Sequence, residues 1–76
     1  MDAYVLVQEI TELGQEVVLM DGSEWSINPS DTSRTCCWYP TQRIVVEEVD
    51  NGRFFNHILT NLDTSEPDRA LARRVK

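Results

Sequence analysis

Asp21-Gly22-Ser23-Glu24-Trp25 follows the apolar run Val17-Val18-Leu19-Met20 and leads into Ser26-Ile27. Asp-Gly between two apolar runs is a strong hairpin signal, because a two-residue type I′ turn needs positive φ at both central positions. A two-residue loop sets Met20 opposite Ser23, Leu19 opposite Glu24, Val18 opposite Trp25 and Glu16 opposite Ile27. That register predicts Val18, Met20, Trp25 and Ile27 on the core face and Val17, Leu19, Glu24 and Ser26 on the more exposed one. Side chains alternate along a strand, so a one-residue slip would exchange the two faces.

Working outward, residues 3–11 are rich in Tyr, Val, Leu and Ile and read as a first strand. Its apolar residues fall on both faces, as in a strand covered on two sides or bent around a small barrel. Glu12-Leu13-Gly14-Gln15 turns the chain, with Gly14 the natural site for positive φ. Residues 16–20 and 23–28 are the second and third strands. Pro29 to Ser33 are turn formers, and Ser30 or Asp31 suits the cap of one helical turn. Pro40 forces Trp38-Tyr39 toward extended backbone.

Residues 43–49 form a fourth strand. Asp50-Asn51-Gly52-Arg53 is a second hairpin turn, flanked by a surface Asp50–Arg53 pair, and residues 54–61 form a fifth strand. A two-residue loop there sets Val49 opposite Phe54, Val46 opposite His57 and Ile44 opposite Leu59. Residues 62–76 suit either a short helix or a terminal strand. A sixth strand built on Leu71 and Val75 would cover the open edge and is the preferred reading. The chain is thus predicted to be all-β: a single small domain over residues 1–76, a five- or six-stranded antiparallel barrel. SH3-like topology is the first choice because the strands are short for its OB-like alternative.

At 76 residues the chain supports one thin core, and chains of this size bury only about 60% of their unfolded surface. No run approaches the ~20 apolar residues of a membrane span. The N-terminus lacks the basic and apolar regions of a signal peptide, so a cytoplasmic location is expected. Net charge is −6, distributed unevenly. Residues 1–68 carry 3 basic and 13 acidic side chains, whereas residues 69–76 carry Arg69, Arg73, Arg74 and Lys76 with no acid. An acidic body disfavours general nucleic-acid binding unless that basic segment acts alone.

The order of Asp21-Gly22-Ser23-Glu24-Trp25, Trp38-Tyr39-Pro40, Ile44-Val45-Val46 and Leu59-Thr60-Asn61-Leu62-Asp63 resembles a group of short uncharacterised bacterial proteins. These share a DGS-x-W turn and a later W-x-P. The resemblance covers roughly residues 17–75; it implies a compact β-barrel and brings no activity with it. Cys36-Cys37 do not look like part of that pattern.

Chemistry-bearing residues are sparse. Cys36 and Cys37 are adjacent, which strains a disulfide between them, so both are expected reduced. On extended backbone they would point to opposite faces, one into the core and one to solvent. His57 is the single histidine, on a different segment from the cysteines, and no zinc-ligand spacing or phosphate loop is present. Glu47 and Glu48 alternate faces and cannot share a proton. No catalytic residue, metal site or cofactor is therefore assigned. The expected role is a non-catalytic protein-interaction module whose partner contacts the 34–42 loop, with Arg34, Tyr39 and Gln42 at its rim. Trp38 is expected to belong to the core. Two alternatives are an acidic decoy of a nucleic-acid-binding protein, using Asp31, Glu47, Glu48 and Asp50, and a nucleic-acid binder using Arg69, Arg73 and Arg74 with an exposed aromatic.

Overall fold

The computed structural model describes residues 3–49, 54–65 and 67–76. Strands β1 (Val5–Ile10), β2 (Glu16–Leu19), β3 (Glu24–Ile27), β4 (Arg43–Glu48), β5 (His57–Asn61) and β6 (Asp68–Arg74) close into one barrel. The order around it is β1-β2-β3-β6-β5-β4, with every neighbouring pair antiparallel. Closure leaves no open edge. A 3-10 turn (Glu12–Gly14) joins β1 to β2. A second 3-10 turn (Pro29–Asp31) and the four-residue helix α1 (Thr32–Thr35) lie between β3 and β4. Asn28 caps the second 3-10 turn through its side-chain oxygen, and neither Ser30 nor Asp31 caps a helix with its side chain.

The first hairpin is wider than a two-residue turn. Gly22 N–H donates to Leu19 O at 3.0 Å and Leu19 N–H to Ser23 O at 2.9 Å, which makes Met20-Asp21-Gly22 a three-residue loop. Gly22 has φ +92°, and Asp21 is not among the residues with positive φ. Asp-Gly here serves the three-residue loop with glycine in the left-handed position, not type I′. The register moves by one residue: Val17 pairs with Trp25 and Val18 with Glu24. Val17 and Leu19 are therefore fully buried beside Trp25 and Ile27, while Met20 is 51% exposed. Ser23 explains the rest of the motif. Its hydroxyl donates to Asp21 Oδ1 at 2.6 Å and accepts from Trp25 Nε1 at 2.9 Å. The turn thus supplies a partner to the indole N–H that Trp25 takes into the core.

In β1 a bulge accounts for Ile10, one of the apolar residues on the second face. The pairing shifts between Val7 and Glu9, a bulge at Gln8, so Val5 and Val7 before it and Ile10 after it all pack against the core. The β4–β5 register differs from expectation by two residues, which preserves the faces but changes the partners. Val46 lies opposite Leu59 and Ile44 opposite Asn61. Val49 N–H reaches Asn56 O at 2.9 Å in that same register, and β5 begins at His57. The Asn51-Gly52 turn and the Asp50–Arg53 pair lie outside the described residues. The terminal segment is a strand, as preferred, but it buries Ala70 and Ala72 instead of Leu71 and Val75. Two small residues on β6 share the core with Trp25 and Trp38.

The start of β4 is fastened to the connection after β5. Arg43 Nε and Nη2 donate to Asp63 Oδ1 at 3.0 and 2.8 Å, and Arg43 N–H donates to Asp63 Oδ2 at 2.7 Å. The guanidinium and that N–H hold the Asp63 carboxyl below its ordinary value. Such a group stabilises the fold above the unfolded carboxylate range and stops doing so as pH falls through its lower folded value. Asp63→Asn should therefore lower stability by a constant amount above the ordinary carboxylate range, with the difference closing as pH falls below it. Denaturant unfolding across that range measures it; a gap that persists at low pH would show that the charge is not its source.

Candidate functional site

Antiparallel connectivity sorts the loops to two ends of the barrel. The 3-10 turn after β1, helix α1 with its following loop, and residues 62–65 and 67 share one end. The first hairpin and the β4–β5 connection share the other. Thr35 and Trp38, three residues apart, anchor α1 at its end. Thr35 is fully buried, and its hydroxyl donates to Gly14 O at 2.6 Å. Trp38 is core, as expected, with its indole Nε1 3.4 Å from Asp68 Oδ2.

Between these anchors Cys36 and Cys37 both face solvent as free thiols. The backbone is helical there (Cys36 φ −63°, ψ −15°), so the alternation of an extended strand does not apply and neither cysteine fills the core. Their sulfurs are 3.9 Å apart. The contact with Cys37, with desolvation second, raises the Cys36 thiol above its ordinary value.

The three rim residues have different fates. Tyr39 is 61% exposed. Arg34, five residues earlier, is also exposed; its Nη1 donates to Arg69 O at 3.2 Å and lies 3.5 Å from Asp31 Oδ1. Gln42, expected at the rim, is buried. Its Oε1 accepts from Asn61 Nδ2 at 2.8 Å and from Tyr39 N–H at 2.9 Å, so it holds the loop instead of facing a partner. Between them Pro40 and Thr41 occupy the centre of a turn closed by Gln42 N–H to Tyr39 O at 3.4 Å. Thr41 has φ +74°. A β-branched residue rarely adopts that conformation, and the turn type ordinarily places glycine there.

Leu13 is a residue that the sequence reading missed. It has φ 69° and is 69% exposed, on the 3-10 turn packed against α1. Leu13 and Thr41 are the non-glycine residues with positive φ among those described, and both lie at the α1 end. Nothing in the sequence marked Leu13, because Gly14 beside it absorbed the expectation of positive φ.

The other candidate groups are dispersed. His57 starts β5 at the opposite end from the cysteines, its ring 4.9 Å edge-on to Trp25 and its Nδ1 2.9 Å from Asn56 Oδ1. A groove of about 540 Å³ runs from Thr11 past Ile27 to Phe55, and among the described residues on its lining Glu16 is the titratable one. No group of three or more His, Cys, Asp or Glu placed to hold a metal occurs among the described residues. The described acids of the decoy reading, Asp31, Glu47 and Glu48, do not form one face. Asp31 is at the α1 end with Oδ2 accepting from Leu71 N–H at 3.0 Å, Glu47 and Glu48 end β4 at the other, and Asp50 lies outside the described residues. On β6, Arg69 and Arg73 point outward with Leu71, opposite to Ala70 and Ala72. Arg73 lies over the Phe54 ring at 4.4 Å, whereas Arg74 Nε donates to Lys76 O at 3.0 Å.

These features define a small closed six-stranded β-barrel with a helical cap over one end. Compared with known proteins, the chain matches no family model, no curated protein and no solved structure. No helix among the described residues is long and apolar enough to cross a membrane.

Proposed function

We propose that this chain is a non-catalytic protein-interaction module of the cytoplasm, and that its partner docks on the α1 end through Leu13, Arg34 and Tyr39. The observation that carries the reading is the coincidence of backbone strain with exposed apolar side chains. Left-handed non-glycine residues cost of order 1–3 kcal/mol each and persist where the surrounding structure or a function requires them. Here one is itself an exposed leucine, and the other sits in the turn that presents Tyr39. Arg34 adds a guanidinium suited to a partner carboxylate. Two exposed free thiols fit a reducing compartment.

Affinity capture from the native host tests this with the full chain, the double variant Arg34→Ala/Tyr39→Ala and Leu13→Gly. A partner held by the wild type should be lost from the first and weakened in the second. A partner retained equally by all three would remove this surface. A second reading, nucleic-acid binding, is favoured by Arg69 and Arg73 on one outward face with Phe54 under Arg73. It requires single-strand affinity that falls steeply with salt and drops in Arg73→Ala.

A further inference from the structure

Cys36 and Cys37 have the geometry of a chelate. The buried anchors Thr35 and Trp38 bracket them. Three backbone bonds tie the turn: Cys36 N–H to Thr32 O at 3.0 Å, Cys37 N–H to Arg34 O at 3.1 Å and Trp38 N–H to Thr35 O at 3.0 Å. Both side chains leave this fixed turn on the solvent side, yet their sulfurs converge to 3.9 Å. A covalent S–S bond needs about 2.05 Å, roughly half that separation, and would have to close an eight-membered ring on helical backbone. A bridging ion asks for no such movement. Two thiolates on a tetrahedral centre with bonds of about 2.3 Å stand about 3.8 Å apart.

We propose that Cys36 and Cys37 together bind one soft, thiophilic, closed-shell cation of the zinc, cadmium and copper(I) class, both sulfurs serving as thiolate ligands. Thiolate donors select this class over hard cations. With two protein ligands, the remaining coordination positions are open to an external ligand or to the same pair on a second copy, and the exposure of both thiols permits either. Each coordinating sulfur gives up its proton, so a divalent ion releases two protons to solvent as two S–metal bonds form. The net charge of −6 favours cation approach to the chain as a whole.

The probe is Cd²⁺, added to the reduced full chain without competing thiol and followed by thiolate-to-metal charge-transfer absorption. Wild type, Cys36→Ser and Cys37→Ser are compared, with the near-ultraviolet signal of the buried tryptophans confirming that each variant is folded. The wild type should saturate at one Cd²⁺ per chain, or at one per two chains if a second copy completes the site. Either serine variant should bind at least about 100-fold more weakly, because the second sulfur then no longer acts within the same molecule. A wild type with no saturable band, or a folded single variant with wild-type affinity, would overturn the proposal.

Discussion

Gly14→Ala should destabilise the protein severely, whereas Gly22→Ala should be a mild change, although both glycines have positive φ (+72° and +92°). The shared cost is that of placing a Cβ on left-handed backbone, about 1–2 kcal/mol. At Gly22 that is nearly the whole effect, since an added Cβ would meet nothing within 4 Å. At Gly14 the Cβ would lie 2.5 Å from Cys36 N, 2.6 Å from Thr35 Oγ1 and 2.8 Å from Thr32 O. Two of these are backbone atoms, of α1 and of Cys36 that caps it, and cannot rotate aside. The third makes the buried bond to Gly14 O that fastens the helix. Overpacking of this kind adds about 1–3 kcal/mol, so the total reaches about 3 kcal/mol or more, a large part of the stability of a domain this size. Thermal unfolding should place Gly22→Ala below wild type by about 4–8 °C for each kcal/mol lost. Gly14→Ala should fall much further or lose its cooperative transition. Equal shifts would mean that α1 does not rest on this turn.

The contrast bears on how far the chain could be read in advance. Elements with a local signature were legible. Asp21-Gly22 marked a hairpin, Gly14 a turn with positive φ, and the apolar runs five strands, while the edge that five would leave open tipped residues 62–76 toward a sixth strand over a helix. Partner and register were less legible, because Asp-Gly suits two loop lengths that differ by one residue. That residue exchanged Val18 and Met20 for Val17 and Leu19 in the core. The bulge at Gln8 has no composition cue, and neither does the preference for Ala70 and Ala72 over larger residues on β6, which depends on tryptophans arriving from β3 and from the loop after α1. At the candidate site, Tyr39 could be picked as an exposed aromatic because Pro40 places it in a loop. Gln42 could not be assigned inward, since its partner Asn61 is nineteen residues away and meets it only once the barrel closes. The thiol pair misled for a related reason. An extended strand would have separated the two sulfurs, and the helical turn that brings them together is held by tertiary contacts at Thr35 and Trp38.

Gln42→Leu should cost about 2–3 kcal/mol, and most of that loss should come from Asn61 rather than from the glutamine itself. Asn61 is fully buried; its Nδ2 donates to Gln42 Oε1 at 2.8 Å, and its Oδ1 accepts from Asp63 N–H at 2.9 Å. Removing the glutamine amide strands a buried donor with no access to water, which carries the full desolvation penalty. The Tyr39 N–H, bonded to the same Oε1 but only part-buried, can turn to solvent. Replacing both amides, in Gln42→Leu/Asn61→Leu, removes the stranded donor, so the double variant should be no less stable than the less stable single one. Denaturant unfolding of the two singles and the double gives that coupling directly; additive losses would show that the pair does not act as a unit. The same set separates fold from function. Gln42 positions Tyr39 without reaching the surface, so a partner captured through Tyr39 should bind Gln42→Leu more weakly under conditions where the variant remains folded. The double variant should not restore that binding even where it restores stability, because the acceptor holding the Tyr39 backbone is still missing. Binding that tracked stability across all three would instead mean that Gln42 contributes only to the barrel.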